Sequence, residues 1–341
     1  MRWGEATDFS KLRSLTVHSP IDVEALRWLT THCRLSSLDN LALNVDCPDR
    51  DVPDEDISNA MDDLLRSLRP LKSLKIVGLI QPRSISLTTE HHGRYLRRLL
   101  LSSTESLSEH HMEQGRADFA TVPFLHELKE NCPRLEELAL RMIRSKGNAN
   151  EVVIHRAIGK MSSLRKIHLS VLCSEPLTWD TTVYERFEAA YDDSADLDQE
   201  MKHRLDDALI NLAMDETLAR SIFQVMSMAK PLYAPPLECL ELRMNVLREW
   251  PTISSHKLLE FLRYIARSWI CNRGLRDDAP HQCSVQIYDK KDESDRQEAE
   301  RYDELPNMND LHYAQALCRV WPKCKVREWT KEWHSFPSSD T

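Results

Sequence analysis

Glycine is scarce in this chain, with 7 of 341 residues. None of the seven falls in a G-x-G-x-x-G or G-x-x-x-x-G-K pattern, the arrangements that let backbone approach a phosphate closely. A dinucleotide or nucleotide cradle is therefore not expected. Nine cysteines make an odd, scattered set without any C-x-x-C pair, which points to reduced thiols and away from a disulfide framework or a structural zinc site. Excess positive charge is also missing: 45 basic against 54 acidic residues give a net charge of -9. A dedicated nucleic-acid binder needs a basic face to displace counterions, so no nucleic-acid partner is expected. No apolar run approaches the 18 residues of a membrane span, and the start Met1-Arg2-Trp3-Gly4-Glu5 is unlike a signal peptide. The sequence therefore predicts no membrane partner and a cytoplasmic or nuclear location. No G-x-S-x-G, H-E-x-x-H or P-loop occurs, so the reading is of a protein that is not an enzyme and has no catalytic residue, cofactor or metal.

What the chain does contain is leucine in a fixed pattern. L-x-x-L-x-L, with conservative exchanges, occurs seven times, beginning at Leu12, Leu38, Leu71, Leu96, Leu135, Leu164 and Leu237. The intervals are 26, 33, 25, 39, 29 and 73 residues, mostly the length of one strand plus one helix. Offsets of 0, 3 and 5 do not share a helix face, whereas the terminal L-x-L alternates as a strand with one buried face does. Each copy therefore reads as a short strand. Between copies lie helical spacings, such as Ile57, Met61, Leu64, Leu65 and Leu68, and Leu258, Leu262, Ile265, Ala266 and Trp269. Ser19-Pro20-Ile21-Asp22 has the form of a capped helix start with Ser19 as cap. The predicted fold is α/β: an irregular leucine-rich-repeat solenoid over 1–341, with a parallel sheet on one side and helices on the other. Within it, 173–234 reads as a helical insertion with Asp215 capping its second helix, and 289–304 as a charged loop.

Four stretches carry a resemblance: Phe9-Ser10-Lys11-Leu12-Arg13-Ser14-Leu15, Cys132-Pro133-Arg134-Leu135-Glu136-Glu137-Leu138, Pro236-Leu237-Glu238-Cys239-Leu240, and the helix from Asn211-Leu212-Ala213-Met214-Asp215-Glu216 onward. On these the chain resembles fungal F-box/leucine-rich-repeat proteins with irregular, ribonuclease-inhibitor-like repeats. The resemblance implies that the repeats recruit a protein substrate for ubiquitin transfer. In that family an N-terminal F-box docks on the cullin-ligase adaptor. No L-P-x-E-like F-box start is found here, so adaptor binding is expected only if an upstream F-box exists.

In a solenoid of this kind the strands line the concave face, and the outward residues between core leucines meet the partner. The candidate protein-binding residues are Lys75, Arg98, Glu137, Lys166, His168 and Glu241, with Lys75 expected beside Arg98 and Glu137 beside Lys166. Their mixed charge suits a polypeptide of unidentified kind. The alternative is a non-catalytic structural or regulatory scaffold acting through the helical insertion. His91-His92 reads as a solvent-exposed pair, since adjacent residues point to different faces. Cys271, His281 and Cys283 match no zinc module and read as buried or incidental.

Overall fold

The computed structural model describes residues 8–45, 54–78, 81–102, 119–172, 199–245, 265–274, 282–288 and 318–322. Strands and helices alternate: β1 Ser14–Pro20, α1 Val23–His32, β2 Asn40–Asn44, α2 Asp54–Ser67, β3 Ser73–Val77, α3 Pro82–His92, β4 Arg98–Ser102, α4 Val122–Asn131, β5 Glu137–Ile143, α5 Ala149–Gly159 and β6 Lys166–Leu172. Then follow α6 Gln199–Leu212, α7 Glu216–Met228, β7 Cys239–Asn245, β8 Trp269–Arg273 and β9 Cys283–Ile287. The nine strands form one mostly parallel sheet in chain order, so the fold is α/β. The described residues belong to two compact units, one drawn from 1–141, 156–168 and 229–238, the other from 142–155, 169–228 and 239–341.

In the first unit the leucine pattern becomes a register. Leu15, Leu41, Leu74, Leu99 and Leu138 are successive partners across five parallel strands. Leu43, Ile76 and Leu101 form the next such row. From Leu41 onward these side chains are at most 2% exposed, and each contributes about 1.5–3 kcal/mol of burial. The first leucine of most copies closes a tight turn, with N–H to carbonyl bonds of 3.1 to 3.3 Å at Leu12, Leu38, Leu96, Leu135 and Leu164. One residue later a second device recurs. The carbonyl of Arg13 accepts both Asp39 N–H and Asn40 N–H, that of Asp39 accepts Lys72 and Ser73, and that of Lys72 accepts Arg97 and Arg98. Arg97 then serves Glu136 and Glu137, Glu136 serves Arg165 and Lys166, and Arg165 accepts from Glu238. A single backbone geometry thus opens every strand from β2 to β6, and its first bond recurs before β7.

The helices of this unit begin and end for local reasons. Asp22, not Ser19, caps α1, its Oδ1 accepting Ala25 N–H at 2.7 Å. Ser19 and Pro20 are instead the last residues of β1, because the chain stays extended until an acceptor can serve the first free N–H. α2 starts at Asp54, three residues before Ile57, so Asp54, Glu55 and Asp56 form its first turn, where negative charge faces the helix dipole. At the end of α3, Gly93 is needed for space rather than for its φ. A Cβ there would lie 2.2 Å from Thr89 O and 2.6 Å from Asn131 O.

In the second unit, α5 opens with Asn148, whose Oδ1 accepts Glu151 N–H at 3.1 Å. The buried Glu151 carboxylate turns back to accept Ser145 N–H at 3.1 Å and Gly147 N–H at 3.0 Å. Lys146 and Gly147 both have positive φ, 59° and 72°, which aims the Ser145 and Gly147 amides at Glu151 while the Lys146 N–H donates to Asn211 Oδ1 at 2.6 Å. α6 and α7 are the expected helical pair, and Asp215 caps the second, accepting Leu218 N–H at 2.8 Å. Leu218, Ile222, Phe223 and Met226 of α7 are buried, and α7 packs on β8 and β9.

β7, β8 and β9 pair antiparallel, with Leu240 opposite Cys271 and Leu242 opposite Trp269. Trp269 therefore opens a strand instead of ending a helical stripe. Its indole N–H donates to Met214 O at 2.8 Å, a buried partner that fixes the ring. The rest of that stripe before Ile265, the charged loop 289–304 and the polar part of the insertion, 173–198, lie outside the described residues.

Candidate functional site

Alternation along each strand divides core from surface. Leu74 and Ile76 of β3 are buried while Lys75 between them is exposed; Leu99 and Leu101 of β4 are buried on either side of the half-buried Leu100. The solvent-facing residues form two rows in the first unit. One runs Ser73, Arg98, Glu137 in register, the other Lys75, Leu100, Ala139. Lys75 and Arg98 thus occupy different rows: the direct partner of Lys75 is Leu100 and that of Arg98 is Ser73. The expected side-by-side pair is a diagonal, because Lys75 stands four residues into its copy of the pattern and Arg98 two.

Glu137 organises this face. Its Oε1 lies 3.0 Å from His168 Nε2 and its Oε2 lies 3.9 Å from Arg98 Nη1. The three side chains are 53%, 20% and 24% exposed for Arg98, Glu137 and His168, so half-buried Glu137 and His168 and exposed Arg98 form a triplet across β4, β5 and β6. Lys166, expected beside Glu137, is exposed at the start of β6. Glu241 belongs to the second unit. There its carboxylate lies 3.2 Å from Arg243, whose guanidinium lies 4.3 Å from the centre of the Tyr288 ring, within cation–π reach.

Sequence reasoning missed a second charged line in the first unit. The residue after the first leucine is charged in all seven copies: Arg13, Asp39, Lys72, Arg97, Glu136, Arg165 and Glu238. Neighbours pair across the strands. Asp39 lies 2.7 Å from Arg69 and 3.2 Å from Lys72, Arg97 lies 3.0 Å from Glu136, and Arg165 pairs with Glu238. The hydrogen bond from Lys72 and the charges of Lys72 and Arg69 hold the Asp39 carboxyl below its usual range. The signal was present in the invariant charge at that position of the pattern.

The two adjacent histidines part company. His91 is exposed, its Nε2 2.8 Å from Leu68 O, whereas His92 is fully buried and its Nδ1 accepts Leu71 N–H at 3.2 Å. The expectation of an exposed pair fails for His92 because α3 turns that position onto the core. Lys230 is anchored to the turn before β6, its amine donating to Met161 O at 2.8 Å and Leu164 O at 2.6 Å. Among the described residues no group of three or more His, Cys, Asp or Glu could hold a metal ion, and no helix is long and apolar enough to cross a membrane.

An α/β protein with a mostly parallel sheet and charged rows on its solvent-facing side is the class these observations define. No family model matches the chain, and no curated protein matches it.

Proposed function

We propose that the chain is an irregular leucine-rich-repeat solenoid acting as a protein-binding module, with the solvent-facing sheet rows of the first unit as its partner site. The repeated hydrogen-bond pattern that opens β2 to β6, with its first bond again at Glu238, supports the repeat reading, because one backbone geometry recurs at successive copies of the leucine pattern. The observation that carries the binding reading is the Arg98, Glu137, His168 triplet, flanked by exposed Lys75 and Lys166. It gives both signs of charge, fixed on strands rather than on loops, and such a face selects a polypeptide by electrostatic complementarity. On the resemblance to F-box/leucine-rich-repeat proteins, the partner is a protein recruited for ubiquitin transfer, and the cullin-ligase adaptor joins only through an upstream F-box. A scaffold acting through α6 and α7 is less well supported, since the apolar face of α7 packs on β8 and β9.

The test is the double substitution Arg98→Glu with Lys166→Glu, in the tagged chain used to capture interactors from a lysate. Specific interactors should be depleted about tenfold or more, while circular dichroism and melting temperature stay close to those of the unsubstituted chain. An unchanged set of interactors would remove the sheet face from consideration.

A further inference from the structure

Cys271 and Cys283 come together in the second unit. β8 and β9 are antiparallel, with Cys271 opposite Val285 and Arg273 opposite Cys283. The two cysteines therefore lie diagonally, two positions apart on one face of the ladder, and they are 0% and 6% exposed. The single thiol hydrogen of Cys271 has two acceptors, Ala219 O at 3.5 Å and the Cys283 sulfur. Arg220 donates to the Cys283 backbone carbonyl, which sets a guanidinium beside the Cys283 side chain.

We propose that Cys271 and Cys283 form a reversible disulfide in the folded protein, with Cys283 the thiol that meets a peroxide and Cys271 the thiol that resolves it. The hydrogen bond from Cys271 and the Arg220 charge, opposed by burial and by Glu216, favour the Cys283 thiolate, while its hydrogen bond to Cys283 and burial hold Cys271 protonated. The Cys283 thiolate attacks one peroxide oxygen, and the O–O bond breaks. Cys283 becomes a sulfenic acid and hydroxide leaves, taking a proton to form water. The Cys271 sulfur then attacks the Cys283 sulfur, its proton passing to the departing hydroxide as a second water. Two thiols are oxidised, one hydrogen peroxide is reduced, and the product is one cystine.

A small oxidant suits a sulfur with so little exposed surface. Diagonal Cα atoms on paired strands are about 7–8 Å apart, and a disulfide accepts up to about 6.8 Å, so the strands must draw together by about 1 Å. β9 ends the sheet order of the described strands and lies under α7, so the adjustment is an approach of β9 to β8 beneath that helix.

The experiment is hydrogen peroxide titration of the whole chain, read by non-reducing peptide mapping, with dimedone to trap sulfenic acid and circular dichroism to follow the fold. A Cys271–Cys283 cystine should form while the dichroism is native and disappear on reduction. In Cys271→Ala, dimedone should label Cys283 about tenfold faster than Cys132, a buried thiol pushed up to about 12 by desolvation and Glu127. In Cys283→Ala, Cys271 should stay unlabelled. The proposal is overturned if Cys283 reacts no faster than Cys132, if the cystine appears only after the fold is lost, or if Cys283 pairs with Cys239 instead. The mapping on the unsubstituted chain stands even where a variant fails to fold.

Discussion

Acid should destabilise this protein between pH 6.5 and 4, a window that opens about two pH units above the range where carboxylates protonate, and His92 is a main cause. Its ring is fully buried and its Nδ1 accepts Leu71 N–H, so the folded state holds it neutral. Desolvation, aided by the neighbouring His91 and opposed weakly by the Leu65 backbone, lowers it from 6.5 to about 4. An unfolded chain takes up the proton near pH 6.5 and the folded chain only near 4. Stability is therefore complete above pH 6.5 and is lost as the pH falls through that window. At about 1.4 kcal/mol per pH unit, the window costs roughly 3 kcal/mol, a large share of a typical stability of about 5–15 kcal/mol. His155, lowered to about 3 by full burial and by Arg144, adds a loss of the same sign. His92→Asn keeps an acceptor near the Nδ1 position and cannot titrate. Its stability, read from urea unfolding at pH 7 and pH 4.5 under reducing conditions, should be lower at pH 7 but should fall about 2 kcal/mol less on acidification. An equal fall in both proteins would show that His92 is charged or solvated in the folded state.

Gly93→Ala should lower stability by about 2 kcal/mol or more, since the new Cβ meets two backbone oxygens that cannot swing aside; an unchanged melting temperature would refute the close approach. Leu138→Asp in the first unit, or Leu240→Asp in the second, places an unpaired charge where exposure is 0% and should unfold the surrounding strands at a cost of several kcal/mol. A melting curve like that of the unsubstituted chain would contradict that burial. Lys230→Met removes the amine from the carbonyl of Leu164 and leaves that of Met161 with the Leu164 N–H alone, and should cost about 1–3 kcal/mol in chemical denaturation, with no loss expected if water replaces the amine.

Much of the parallel sheet could be read from leucine spacing, because side chains that alternate between core and solvent leave a period that survives in the sequence. Register was harder. The sequence shows that Lys75 and Arg98 both face outward, but which row each joins depends on where the strands align, and the stack of Leu74 on Leu99 decides it. Strands β8 and β9 were missed for a different reason. Ile265, Ala266 and Trp269 fit a helical stripe, and only the pairing of Trp269 with Leu242 and Ile287 makes it a strand residue. His92 gave no warning of its burial, since a histidine beside another histidine looks polar until the helix is oriented. The line from Arg13 to Glu238 was visible in composition at a fixed position.

The backbone bonds that open each strand separate what the chain must keep from what it can change. Both amides after the first leucine donate to the preceding strand at Asp39 and Asn40, Lys72 and Ser73, Arg97 and Arg98, Glu136 and Glu137, and Arg165 and Lys166, so proline is barred from those positions. The bonding is carried by backbone, with the Asn40 amide a side-chain addition to the Arg13 carbonyl, so side chains at these positions can vary in size and sign. Chain length is equally free: Arg165 O meets Glu238 N–H across 73 residues at 2.8 Å, the same distance that joins Arg97 to Lys72 across 25. A molecule built this way can acquire a long excursion between two strands, or rewrite the chemistry of its outer rows, without renegotiating the spacing of the strands themselves.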